Sequence, residues 1–97
     1  MKKNLKLENL LREFLNIMVK RYTWLTIKFE YNEIKQQYLV SYSPKDKIQS
    51  DNEFITDSMM LEDMFNDYFG DYAPLFCDEE EYFKLSPNAE VIKYESK

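Results

Sequence analysis

Apolar residues recur at spacings of three and four between residues 5 and 22, through Leu7, Leu10, Leu11, Phe14, Leu15, Met18 and Tyr22. That period predicts an amphipathic helix with one buried face. Its polar face carries Arg12, Glu13, Asn16 and Lys20, and Glu8 precedes Arg12 by four residues, the favourable order for an ion pair. Lys20 and Arg21 fall in the last turn, where cations suit the helix dipole. These charges need no ligand to explain them. The period then changes to two: Leu25, Ile27, Phe29 and Tyr31 alternate with Thr26, Lys28 and Glu30, which predicts a strand over residues 23–31 with one buried face. A second strand is expected over residues 36–43, with Tyr38, Val40 and Tyr42 on its more apolar side. Asn32, Glu33, Ile34 and Lys35 form the turn of this antiparallel hairpin.

Pro44 ends the second strand, and residues 45–52 read as a polar loop. Residues 53–56 read as a third short strand built on Phe54 and Ile55, with Thr56 or Asp57 capping the helix that follows. The alternative is a capping box of Ser50 and Glu53 that starts the helix early. Over residues 58–69, Met60, Leu61, Met64, Phe65, Tyr68 and Phe69 again space at three and four. Gly70, the only glycine, suits the left-handed position just past a helix end. Residues 71–78 contain Pro74 and are expected to be irregular, anchored by Leu75 and Phe76, and residues 78–81 to open a short helical turn. Ser86, Pro87 and Asn88 form a turn between an apolar segment at 82–85 and a strand within 89–94 that closes the sheet.

The predicted fold is therefore one α+β domain spanning the chain, a two-layer sandwich with two amphipathic helices packed on one face of an antiparallel sheet of three to five strands. The opposite sheet face, bearing Thr26, Lys28, Glu30 and Ser41, is expected to be wet, with Trp24 and Leu39 as an exposed apolar pair on it.

Composition narrows the chemistry. Aromatic residues make up 16% of the chain, far too many for a disordered segment. Eight tyrosines exceed what so small a core can satisfy with hydrogen bonds, so some must reach the surface. The chain has no histidine, which removes the commonest general base, the commonest transition-metal ligand and every Ser-His or Cys-His pair. A single glycine cannot build a phosphate-binding loop, and Tyr68 and Phe69 before Gly70 do not fit a calcium-binding loop. Many carboxylates are present, but nothing singles out an acid/base pair. Cys77 stands beside four acids, which disfavours a nucleophilic thiolate and leaves it as a small gap-filling residue. One cysteine forms no internal disulfide, and no run is long and apolar enough to span a membrane or to serve as a secretory leader, so a cytoplasmic, non-membrane protein without cofactor or metal is expected.

The charge distribution changes the picture most. Residues 1–50 carry ten Lys/Arg against five Asp/Glu, a balance of +5, whereas residues 51–97 carry three Lys against thirteen Asp/Glu, a balance of −10. Eleven acids and no cation fall within residues 51–81. Either the two halves neutralise one another, or the acids form a patch that steers a basic partner. Nucleic acid is excluded as that partner, because Glu62, Asp63 and Asp67 stand on the second helix where a phosphate reader needs lysine. Phe29 and Tyr31 cannot stack bases either, since they share the core face with Leu25 and Ile27. The expected function is thus non-enzymatic docking of a basic protein, as inhibitors and nucleic-acid mimics do. The expected surface comprises Glu62, Asp63, Asp67, Asp71, Tyr72, Asp78, Glu79, Glu80, Glu81 and Tyr82. The alternative is a structural homodimer formed through the sheet.

Overall fold

A computed structural model describes residues 5–78 and 85–95. The first helix, α1 (Leu5–Arg21), buries Leu7, Leu11, Leu15, Met18 and Val19, the side that the three- and four-residue spacing marks out. Leu11 and Leu15 are fully enclosed, each contributing roughly 1.5–3 kcal/mol by leaving water. After Tyr22 the chain turns, and strand β1 (Thr26–Asn32) begins. Thr23 and Trp24 thus belong to the turn and not to the strand.

Strand β2 (Gln37–Ser43) pairs antiparallel with β1, placing Phe29 opposite Val40 and Tyr31 opposite Tyr38 on the core face. The loop between them is held by Asn32, whose side-chain oxygen accepts the Lys35 N–H at 2.8 Å, and by Gln36 at φ 55. Two further strands, β3 (Leu75–Asp78) and β4 (Glu90–Lys93), complete a four-stranded sheet of order β3-β2-β1-β4. Strand β4 pairs antiparallel with β1, opposing Ile92 to Ile27. Its entry is the expected turn: the Ala89 N–H bonds the Ser86 carbonyl, and Glu30 on β1 accepts from both the N–H and the hydroxyl of Ser86, at 2.8 and 2.5 Å.

Strand β3 was expected to be irregular chain in an otherwise antiparallel sheet. It pairs parallel to β2, with Val40 opposite Phe76. The connection between the two strands is helical, and a helical crossover returns the chain to the end of the sheet from which a parallel strand can run.

That crossover holds the largest departure from expectation. Residues 45–52 are not a loop, and residues 53–56 are not a strand. Helix α2 (Lys45–Ser50) buries Ile48, and helix α3 (Asn52–Phe69) starts at once after it. The cap of α3 is Asp51, whose carboxylate accepts the Phe54 N–H at 3.0 Å, and neither Ser50, Thr56 nor Asp57 takes that role. The Thr56 hydroxyl instead donates to the Asn52 carbonyl one turn back. The buried positions of α3 are Phe54, Ser58, Leu61 and Phe65, spaced at four, three and four, with a serine interrupting the apolar stripe. Gly70 ends the helix at φ 54, and Gly70–Tyr72 forms a 3-10 turn.

One core cluster joins α1, α2, α3 and one face of the sheet, so both long helices lie on the same side, as expected. Aromatic rings on α3 organise it. Phe54 meets Tyr22, Trp24 and Tyr42 edge-on at 5.2–5.4 Å between centroids, and Phe65 meets Phe14, Phe69 and Phe76. Such pairs add about 0.5–1.5 kcal/mol each beyond burial. The far face of the sheet is wet only in part. Lys28 and Val91 are exposed, but Ser41 and Cys77 are buried and Leu39 is 1% exposed. Strand β2 is interior to the sheet, so side chains of β1 and β3 flank Ser41 on both sides. Trp24, packed on Phe54 and Tyr22, is half-buried on the core side. The exposed apolar pair expected on the far face does not exist.

Candidate functional site

The acids of residues 51–81 divide by what they touch. Asp51 caps α3. Glu53 and Asp57 lie near Arg21 at the end of α1, at 3.7 and 3.3 Å, and Asp57 also accepts the Tyr22 hydroxyl at 2.5 Å. Burial, and then this bond to Asp57, push the Tyr22 phenol up to about 12. Here the basic first half and the acidic second half do neutralise one another.

Elsewhere they do not. Asp63 and Asp67 project from α3 into solvent, Asp71 follows in the 3-10 turn, and none of the three forms an ion pair among the described residues. Residues four apart on a helix are surface neighbours, so Asp63 and Asp67 form a short anionic row. Beside it runs a second row, Met60, Met64 and Tyr68, also spaced by four. Met60 is 66% and Tyr68 75% exposed, and these five side chains line one shallow depression of about 340 Å³. Tyr72, 51% exposed, comes one turn further along the chain.

The sequence therefore identified Asp63, Asp67, Asp71 and Tyr72 as surface residues, and the structure brings the first two onto one helix face. Glu62 does not join them. It is half-buried on another flank of α3, lining a separate hollow of about 330 Å³ with Tyr42, Ile48, Phe54 and Cys77. Asp78 belongs to β3 without a described side chain, and Glu79, Glu80, Glu81 and Tyr82 lie outside the described residues, as do the helical turn expected there and most of the segment at 82–85. Met60 and Tyr68 were missed as surface residues because their spacing placed them in the buried stripe, to which half-buried Met64, packed against the core, does belong. Width alone does not distinguish Met60 and Tyr68, since α1 packs two adjacent rows, 7-11-15 and 10-14-18, against the core.

A second polar cluster lies between α1 and the sheet. Arg12 pairs with Glu8 at 3.3 Å and with Glu90 on β4, and its guanidinium sits 5.2 Å above the Phe29 ring. Glu8 in turn accepts the Tyr38 hydroxyl at 2.5 Å. Burial, and then that bond, hold the Tyr38 phenol well above its ordinary value. The groups satisfy one another and clamp α1 to β2 and β4, which is a structural task. Among the described residues no three His, Cys, Asp or Glu side chains are gathered as a metal site, and no helix is long and apolar enough to cross a membrane. No family model, no curated protein and no solved structure matches the chain.

Proposed function

We propose that this chain is a non-enzymatic docking protein that binds a basic protein through the outer strip of α3. Asp63 and Asp67, with Asp71 beyond the helix end, meet cations of the partner. Met60, Met64, Tyr68 and Tyr72 supply the apolar contact. Binding acts by occlusion: the carboxylates occupy cationic positions that the partner would otherwise offer to phosphates or acidic ligands.

The observation that carries this reading is the placement of Asp67. It stands in the last turn of α3, where the helix has its negative pole, and no basic residue stands there with it. An anion at that end is unfavourable by about 0.3–1 kcal/mol, and Asp63 one turn back repels it further. A row serving only solubility has no reason to occupy the position that costs the helix most. Large exposed apolar side chains on the same strip point the same way, since methionine adapts its shape to a partner and tyrosine is enriched in interface hot spots. Dimerisation through the sheet has no such support, because of its expected anchors Leu39 is buried and Trp24 is half-buried on the core side.

Affinity capture from the native host tests the proposal, comparing the natural chain with the Asp63→Asn/Asp67→Asn variant. The natural chain is expected to retain a basic protein at low salt and release it near ~1 M, where the Debye length falls to about 3 Å. The variant is expected not to retain it. Retention of nothing, or retention indifferent to the substitutions, overturns the proposal.

A further inference from the structure

Resting on the docking function already proposed, we infer that the segment of the partner seated on α3 is a basic amphipathic helix. The strip consists of two rows that both follow the i, i+4 direction: an apolar ridge of exposed Met60 and Tyr68 with half-buried Met64 between them, and beside it the anionic ridge of Asp63 and Asp67. Ridges in that direction are the ones that interdigitate when two helices cross at roughly 50°. From Met60 to Tyr68 the strip rises about 12 Å, a little over two turns, which matches the stretch that a crossing helix can cover.

Backbone chemistry separates a helix from an extended segment. An extended peptide in the β conformation gains its affinity by pairing its main chain with an open sheet edge, and a helix face offers no such edge, because its own N–H and C=O groups are already bonded within the helix. A helical partner brings its backbone satisfied and needs only side-chain contacts. Charge then selects among helices: the anionic row calls for Lys or Arg spaced by three or four beside an apolar row. A second copy of this chain is disfavoured as the occupant, since its own strip would bring Asp63 and Asp67 against Asp63 and Asp67. Unbranched, exposed Met60 lets the ridge adjust to different apolar side chains, so the partner's pattern is constrained more tightly than its exact residues.

A display library of random peptides, each long enough for four helical turns, tests this when selected on the immobilised natural chain and counter-screened on the Asp63→Lys/Asp67→Lys variant. Both substitutions are at exposed positions, so the variant is expected to fold, which its melting curve verifies. Enrichment of proline-free peptides with Lys/Arg and apolar residues at helical spacing, binding the variant about tenfold more weakly or worse, supports the inference. Enrichment of basic peptides without helical spacing, still weakened by the variant, overturns the helical partner and leaves the docking function standing. Peptides indifferent to the variant, or no enrichment at all, overturn both.

Discussion

Helix α1 carries Glu8 in its first turn and Lys20 and Arg21 in its last, charges that suit their poles, against one cation of the unfavourable sign, Lys6, in the first turn. Helix α3 also starts well, with the Asp51 cap and Glu53 in its first turn, but ends with no cation and with Asp67 in its last turn. Three charges of α1 are also engaged with the rest of the fold, Glu8 with Tyr38, Arg12 with Glu90 and Arg21 with Asp57, while Lys6, Glu13 and Lys20 are exposed. Those on the outer strip of α3 face water. The two helices contribute to the same core, so the contrast lies only in their outer faces. Charges that complement a dipole and bind neighbours are accounted for by stability. What sets the strip of α3 apart is that its opposing charge is doubled along one row, Asp63 and Asp67, beside exposed Met60 and Tyr68, and the proposed docking supplies a reason for that pairing.

The contrast can be broken at several strengths. The largest effect is expected in the shared core, where the helices should behave alike. Phe65→Ala removes a fully enclosed ring at the centre of three aromatic contacts and should cost about 3–5 kcal/mol in urea unfolding, and Leu11→Ala on α1 about 2–5. Much smaller losses at Phe65 would mean that α3 is only loosely held.

Next comes the junction between the helices. Tyr22→Phe deletes a hydrogen bond to the Asp57 carboxylate and should cost roughly 1.5–3 kcal/mol at neutral pH. Its pH signature has a defined sign. The folded chain holds the Tyr22 proton up to about 12, whereas the unfolded chain releases it near 10. The native state therefore binds more protons in that interval, and stability falls as pH rises through it. Tyr38, raised in the same direction, adds to the decline. Melting temperatures measured from neutral pH into that interval should fall less steeply for Tyr22→Phe than for the natural chain.

Gly70→Ala should cost on the order of 1 kcal/mol: a Cβ there meets no neighbour, so the penalty comes from φ 54 alone. An unchanged melting curve would remove that assignment. Smaller still is the mirror test of the outer faces. Lys20→Asp on α1 should lower stability by about 0.3–1 kcal/mol, and Asp67→Lys on α3 should raise it by a similar amount.

Much of this fold is legible in the chain because its signals are local. The α1 period, the alternation in β1 and β2, Asn32 in the hairpin, Gly70 and the local bond from Ala89 to Ser86 all act through near neighbours, although Glu30 then anchors that last turn to β1. The crossover from β2 to β3 is not legible in that way. Phe54 and Ile55 are too few to set a period, and the stripe they begin passes through Ser58, whose hydroxyl bonds the Ile55 carbonyl within the helix. The parallel pairing of β3 joins Leu39 to Leu75, a contact across the whole crossover that no local pattern encodes. At the candidate site the acids were identifiable from charge alone. Met60 and Tyr68 were not, because three- and four-residue spacing marks neighbours on a helix without saying which of two adjacent rows faces the core.

The most direct measurement is the equilibrium unfolding of Asp63→Asn/Asp67→Asn in urea. Asparagine has a helix propensity close to that of aspartate, so the pair of substitutions isolates the charge. The variant is expected to be more stable than the natural chain by about 0.5–1 kcal/mol, with an unchanged dependence on denaturant. A variant of equal or lower stability would mean that these carboxylates belong to the fold after all, and would contradict their assignment to a partner.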